Sequence, residues 1–186
     1  MEVSMFKVGD LGRKRAKTKE LPDLNYLKSL IQYCPNTGNI WWLDTEHVSK
    51  KLRGQLANSY FKSTGYKRIC IDKKIYCQHR IAWLFGHGKE PVGMIDHING
   101  IRDDNRLENL RDVSNSVNGQ NKKIAMSSNR IGVLGVRYRK SRISKPYEAC
   151  IKVNGKNKYL GNYSTPEEAH QAYLTAKREL HEGCTI

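Results

Sequence analysis

No run of apolar residues in this 186-residue chain approaches the roughly 18 that a membrane-spanning helix needs. Residues 1–10 also lack the continuous apolar stretch of a secretory leader, so the expectation is a soluble protein kept in the cytosol, away from any membrane. Acidic side chains are scarce: 18 Asp and Glu face 33 Lys and Arg, a net charge of +15. That imbalance disfavours an acidic scaffold and attracts polyanions, of which nucleic acid is the commonest. Cysteines are few, and no two have Cys-x-x-Cys spacing. The five (Cys34, Cys70, Cys77, Cys150 and Cys184) signal neither a disulfide framework nor a zinc finger. Cys77 and His79 lie close together, but no second ligand pair follows. Reduced, mostly structural thiols are expected.

What is present divides the chain. Residues 1–20 carry Arg13, Lys14, Arg15, Lys17 and Lys19 with few apolar partners and read as a flexible basic arm. From Leu21 onward Leu24, Leu27, Leu30 and Ile31 recur at helical spacing until Pro35 and the turn Asn36-Thr37-Gly38-Asn39. Residues 40–43 read as a strand, and residues 65–71 and 74–77 as a hairpin across Asp72-Lys73. A short helix over residues 79–85 is expected to stop at Gly86 or Gly88. Residues 122–131 read as a polar linker. Three strand-like runs follow (132–139, 147–153 and 156–163), the last two joined by Asn154-Gly155, a strong hairpin signal. A helix then starts at Thr165-Pro166-Glu167-Glu168, with Ala169, Ala172, Tyr173 and Ala176 on its apolar face. The fold class is α+β, with a small mixed domain at 21–121 and a three-stranded antiparallel sheet plus one helix at 132–186.

Residues 94–122, MIDHINGIRDDNRLENLRDVSNSVNGQNK, concentrate the chemistry. An apolar lead-in presents Asp96 and His97, a polar loop leads to Asn109, and a short helix capped by Ser114 carries Asn118 and Asn121 on one face. Hydrolysis of a phosphodiester needs an activated water and a cation beside the phosphate. Asp96 and the amide oxygen of Asn118 are the hard ligands that Mg²⁺ prefers. His97 titrates near neutrality and suits a general base. Asn109 can clamp the loop and orient His97.

The spacing of Asp96-His97, Asn109 and Asn118 resembles the ββα-metal motif of the His-Asn-His (HNH) nucleases. The wider segment is similar to free-standing and intron-encoded phage endonucleases of the subgroup with Asn in the last motif position. The resemblance extends to Tyr33 through Trp42 and to Gly65 through Trp83. It implies one metal ion per active site, held by Asp96 and Asn118, with His97 as catalytic base and Asn109 as the catalytic orienting residue. Asparagine where many relatives have histidine favours Mg²⁺ or Mn²⁺ over softer metals. In a phage setting the compartment is the cytosol of the bacterial host. His79 reads either as a contact to the site or to DNA, or as a structural residue at the start of its helix, and the structural reading is preferred.

The text GVLGVRYRK followed by YEACIKVNGKNKYLGNYSTPEEAHQAY resembles the AP-two, or ethylene-response-factor, DNA-binding domain. That family lays a three-stranded sheet in the major groove. Arg137 and Arg139 share one face of the first strand and are the expected base readers, with Lys152 and Lys158 joining the positive face. Asn121 and Lys122 are further DNA contacts on this reading. Tyr147 and Tyr159 stand where the family often has tryptophan, and Cys150 where it often has an acidic residue. The function expected is metal-dependent, site-preferring cleavage of double-stranded DNA, homing-endonuclease-like. The alternatives are a DNA-binding regulator with an inactive nuclease motif, or structure-specific or RNA-directed cleavage. The sequence leaves open whether the protein acts as a monomer or as a DNA-bound dimer.

Overall fold

The computed structural model describes residues 19–57 and 64–185, and the backbone alone at 59–60. The basic arm expected at residues 1–20 lies outside the described residues except for its last two positions. Helix α1 (Leu24–Leu30) starts where the Asp23 carboxylate accepts the amides of Asn25 and Tyr26, a conventional N-cap. It buries Leu27 and Leu30. The apolar periodicity suggested that Ile31 continues the helix, but the backbone turns extended there. Strand β1 (Ile31–Tyr33) begins at once and pairs antiparallel with β2 (Ile40–Trp42). A buried β-branched residue packs equally well on a strand, so spacing alone did not separate the two outcomes.

Strands β3 (Ser59–Tyr60), β4 (Lys67–Ile71) and β5 (Lys74–Cys77) form an antiparallel sheet. Asp72 and Lys73 both adopt positive φ, 50° and 61°, as a two-residue hairpin with primed twist demands. Helix α2 (Gln78–His87) follows without a break and stops at Gly88, in the left-handed conformation. Leu27, Ile31, Ile40, Ile69 and Ile81, each at most 2% exposed, centre the first core. Against it lies a two-stranded ribbon, β6 (Met94–His97) with β7 (Leu110–Val113), then α3 (Asn115–Gln120) capped by Ser114.

Residues 129–185 build around a second core. Strands β8 (Val136–Tyr138), β9 (Tyr147–Val153) and β10 (Lys156–Tyr163) form one antiparallel sheet with β9 central. Helix α4 (Pro166–Leu180), opened by a Thr165/Glu168 capping box, covers one face through Ala169, Tyr173 and Ala176. The linker expected at 122–131 is already engaged at its C-terminal end, where the Asn129 amide donates to the carbonyl of Val133 at 2.7 Å. All five cysteines are free. The fold is thus mixed α+β, with small antiparallel sheets and four α-helices among the described residues.

Candidate active site

The β6–β7 ribbon places Asp96 opposite Arg111 and His97 opposite Leu110. Helix α3 packs across the ribbon, as the spacing of Asn118 and Asn121 along one helical face requires. Asp96 and His97 are buried, 7% and 4% exposed. A buried carboxylate is tolerated only when paired and hydrogen-bonded. Asp96 meets both conditions: Arg111 donates to Oδ2 through Nε at 2.9 Å and approaches within 2.7 Å through its terminal nitrogen. Asn121 Nδ2 lies 3.1 Å from each carboxylate oxygen and 2.9 Å from the His97 carbonyl.

Arg111 carries no motif signal, yet antiparallel register puts it directly across from Asp96. Only the strand at Leu110–Val113, which the sequence does not announce, brings it there. Asn121, expected to contact DNA, is 7% exposed and holds Asp96 instead. An amide enclosed by a carboxylate and a carbonyl is not presented to a duplex. Asn118, the expected metal ligand, lies one turn earlier and donates weakly to Met94 Sδ at 3.7 Å. Met94 precedes Asp96 by two residues, so both asparagines reach the same face of β6.

His97 Nε2 lies 3.2 Å from Asn105 Oδ1, an acceptor, so the neutral ring carries its proton on Nε2 and keeps its lone pair on Nδ1. Burial lowers the His97 pKa from its ordinary value, opposed by the Asn105 bond and the Asp96 charge. Asn105, 1% exposed, is a site residue that the polar text of its loop gave no reason to single out. His79 and Tyr66 complete a cluster of rings. The His79 centroid is 5.4 Å from that of His97 and 5.1 Å from that of Tyr66. Burial first, then the neighbouring His97, push the His79 pKa down to about 3, so it stays neutral at working pH. His79 at the start of α2 therefore also packs on the site, through ring contact.

Asn109 ends a short 3₁₀ turn, Leu107–Asn109. Its Oδ1 accepts the amide of Asn99 at 2.9 Å and its Nδ2 donates to the Asp104 carbonyl at 2.8 Å, so one side chain ties the two ends of the loop after His97. Asp104 accepts from Arg106 and Asn99, and the Arg106 guanidinium foremost holds its pKa down to about 2. A carboxylate depressed in the folded state contributes stability that is present above its unfolded pKa, near 3.8, and lost as pH falls through about 2. The stability difference between the wild type and Asp104→Asn should therefore shrink as pH is lowered from about 5 to about 2. Urea unfolding at stepped pH measures it, and a constant difference would contradict the assignment.

On the second sheet Arg137 and Arg139 project from the face opposite α4, as alternation predicts. Arg139 is already held by Glu148 in a two-bond ion pair, 3.0 and 2.9 Å. Lys152 lies on that same open face. Lys158 does not: its register partner is Ile151, which is buried under α4, so Lys158 belongs to the helix-covered side. One-residue parity decides the face of a strand, and Tyr159 takes the open-face position expected for Lys158. Lys122 is exposed just beyond Asn121. Lys122, Arg130, Arg137, Lys140 and Lys152 all line one cleft of about 1300 Å³ between α3 and the open sheet face.

Among the described residues no cluster of three or more His, Cys, Asp or Glu forms a ready metal cage. The site instead offers one carboxylate with amides. Asp96 Oδ1 accepts a single bond, from Asn121, and keeps a lone pair. Donation from the Asn118 nitrogen leaves its amide oxygen as a ligand atom. Such a set of hard oxygens fits an ion that retains water and takes phosphate oxygens.

Comparison with known proteins finds a family match. The model of the HNH endonuclease family fits residues 76–120, from the end of β5 through α3. No curated protein and no solved structure matches the chain. The matched span contains Asp96 and His97 on β6, Asn109 in the 3₁₀ turn and Asn118 on α3, and over residues 76–120 the chain is similar to the HNH endonuclease family.

Proposed function

We propose that this protein is a divalent-metal-dependent endonuclease that hydrolyses double-stranded DNA at preferred sites. The observation that carries the reading is the juxtaposition, inside the matched domain, of a buried His97 with an Arg-paired Asp96. Asp96 and the amide oxygen of Asn118 would hold the ion, Mg²⁺ or Mn²⁺. When bound, it supplies a positive charge to the scissile phosphate and the leaving oxygen. His97 accepts a proton from the attacking water at Nδ1, the nitrogen that the Asn105 bond leaves unprotonated. The new phosphorus–oxygen bond forms as the ester bond to the leaving oxygen breaks. The Asn109 clamp fixes the loop that carries Asn105, and so the angle of the ring.

The cleft beside α3 supports a division of labour. Residues 21–121 cut, and the unit at 132–186, which resembles an AP-two-like module, reads the duplex through Arg137 and Lys152. Arg139 reads bases only if it leaves Glu148. A homing-type nuclease of the subgroup with Asn118 in the last motif position fits this plan.

Cleavage of supercoiled plasmid with Mg²⁺ and with EDTA tests the reading, followed by a duplex carrying the native target. Metal-dependent nicked or linear product supports it. Tight duplex binding with no cleavage on either substrate would turn the assignment to a DNA-binding regulator. Arg137→Ala should weaken duplex binding by roughly 5- to 150-fold, with loss of preference among sites. Fluorescence anisotropy on target and scrambled duplexes measures both.

A further inference from the structure

The segment after α4 turns back from the sheet module and ends on the residues that hold Asp96. Gly183 donates its amide to Gln120 Oε1 at 2.9 Å, and its carbonyl accepts from the Arg111 guanidinium at 2.9 Å. The Thr185 hydroxyl donates to Asn121 Oδ1. Upstream, the buried Lys177 of α4 donates to the Lys122 carbonyl at 2.5 Å. A Cβ at Gly183 would lie 2.3 Å from the Val117 carbonyl oxygen, so only glycine lets the segment approach α3 this closely.

These bonds have a chemical consequence at the carboxylate. A primary amide has one acceptor end and one donor end. With Thr185 donating to Oδ1 of Asn121, the NH₂ group is the end turned toward Asp96 and the His97 carbonyl. Arg111 is anchored in the same way, since the Gly183 carbonyl accepts from Nη2, the terminal nitrogen that with Nε faces Asp96. Both partners of the buried carboxylate are therefore set from residues 183–185, which hang from the helix of the other module.

We propose that residues 183–185 are positioning residues of the nuclease. Acting through Arg111 and Asn121, they orient Asp96 and tie its geometry to the docking of α4. The inference rests on the nuclease reading above.

Its test uses the full chain with Thr185→Val, Thr185→Ser and Gly183→Ala. Removing an outer-shell partner of a ligand typically costs about 10- to 100-fold in metal affinity or activity. Thr185→Val and Gly183→Ala should each lower kcat by about 10-fold or more and weaken Mn²⁺ binding, followed by electron paramagnetic resonance, by a similar factor. Duplex affinity should stay within about twofold, since neither residue lines the basic cleft. Thr185→Ser keeps the hydroxyl and should restore both quantities. Unchanged kcat and Mn²⁺ affinity in Thr185→Val would overturn the proposal, as would failure of the serine variant to restore them. A readout that needs neither metal nor cleavage separates this from failure of the nuclease reading. Side-chain amide exchange at Asn121, measured by NMR, should accelerate about 10-fold in Thr185→Val and not in Thr185→Ser. If the wild type neither cuts nor binds Mn²⁺, that exchange alone decides: acceleration sustains the strap, and its absence removes it.

Discussion

His97→Ala should lower cleavage by roughly 10²- to 10⁴-fold while leaving duplex affinity nearly intact. The residue is 4% exposed and its ring bonds Asn105 through Nε2, so truncation removes a proton acceptor without removing a DNA-facing charge. The loss should fall on kcat, because the base acts as the water is deprotonated and not when substrate binds. Its neighbours sharpen the expectation. His79 is held neutral by burial and, among the described residues, has no hydrogen-bond partner at Nδ1, so it packs against His97 without competing for the proton. Single-turnover cleavage of a labelled duplex, with anisotropy in parallel, measures both quantities. A variant that cuts at the wild-type rate would remove His97 as the base and leave the arrangement around Asp96 without a proton acceptor. Loss of binding and cleavage together would mean that the ring supports the fold of the ribbon.

The second large effect lies outside the matched segment. Gly38→Ala should destabilise the protein by about 2–4 kcal/mol and depress cleavage as well. Gly38 has φ +70°, a conformation that costs an L-residue roughly 1–2 kcal/mol. The added methyl would also lie 2.5 Å from the Arg106 nitrogen and the Asn105 carbonyl carbon, which are backbone atoms and cannot swing aside. The loop must therefore move, and Asn105 with it. Tyr33, on the adjoining strand, already fixes that loop by donating to the Asn105 carbonyl at 2.8 Å. Displacing Asn105 frees the His97 ring to rotate, so kcat should fall by more than the loss of folded protein accounts for. Urea unfolding gives the first quantity, and kcat measured well below the unfolding transition gives the second. A fully active, normally stable Gly38→Ala would show that the turn and the loop are independent.

These two positions differ in how far the sequence revealed them. His97 was visible because its partners lie at fixed spacings: a carboxylate beside it, Asn109 twelve residues on and Asn118 nine further. Local chemistry also announced the Asp72-Lys73 and Asn154-Gly155 turns, the Ser114 cap and the Thr165-Pro166 helix start, because each satisfies backbone groups within a few residues of itself. The α+β class followed from those signals, with alternation giving the strands of the second sheet. Gly38 read only as a turn glycine, since the backbone it touches is 67 and 68 residues away in sequence.

Residue order alone was enough for most of the elements, for the chemical identity of Asp96, His97, Asn109 and Asn118, and for the polyanion-seeking charge. Tertiary structure decided which side chains serve them. Strand register set Arg111 against Asp96 and sent Lys158 to the helix-covered side of its sheet. Helix packing gave Asp96 to Asn121, and the return of the chain after α4 brought Gly183 and Thr185 to both. The difference is one of range. Caps and turns are settled by neighbours along the chain. The partners of a buried charge are settled by whatever surfaces meet there, and those meetings are chosen by the burial of cores that no local pattern encodes.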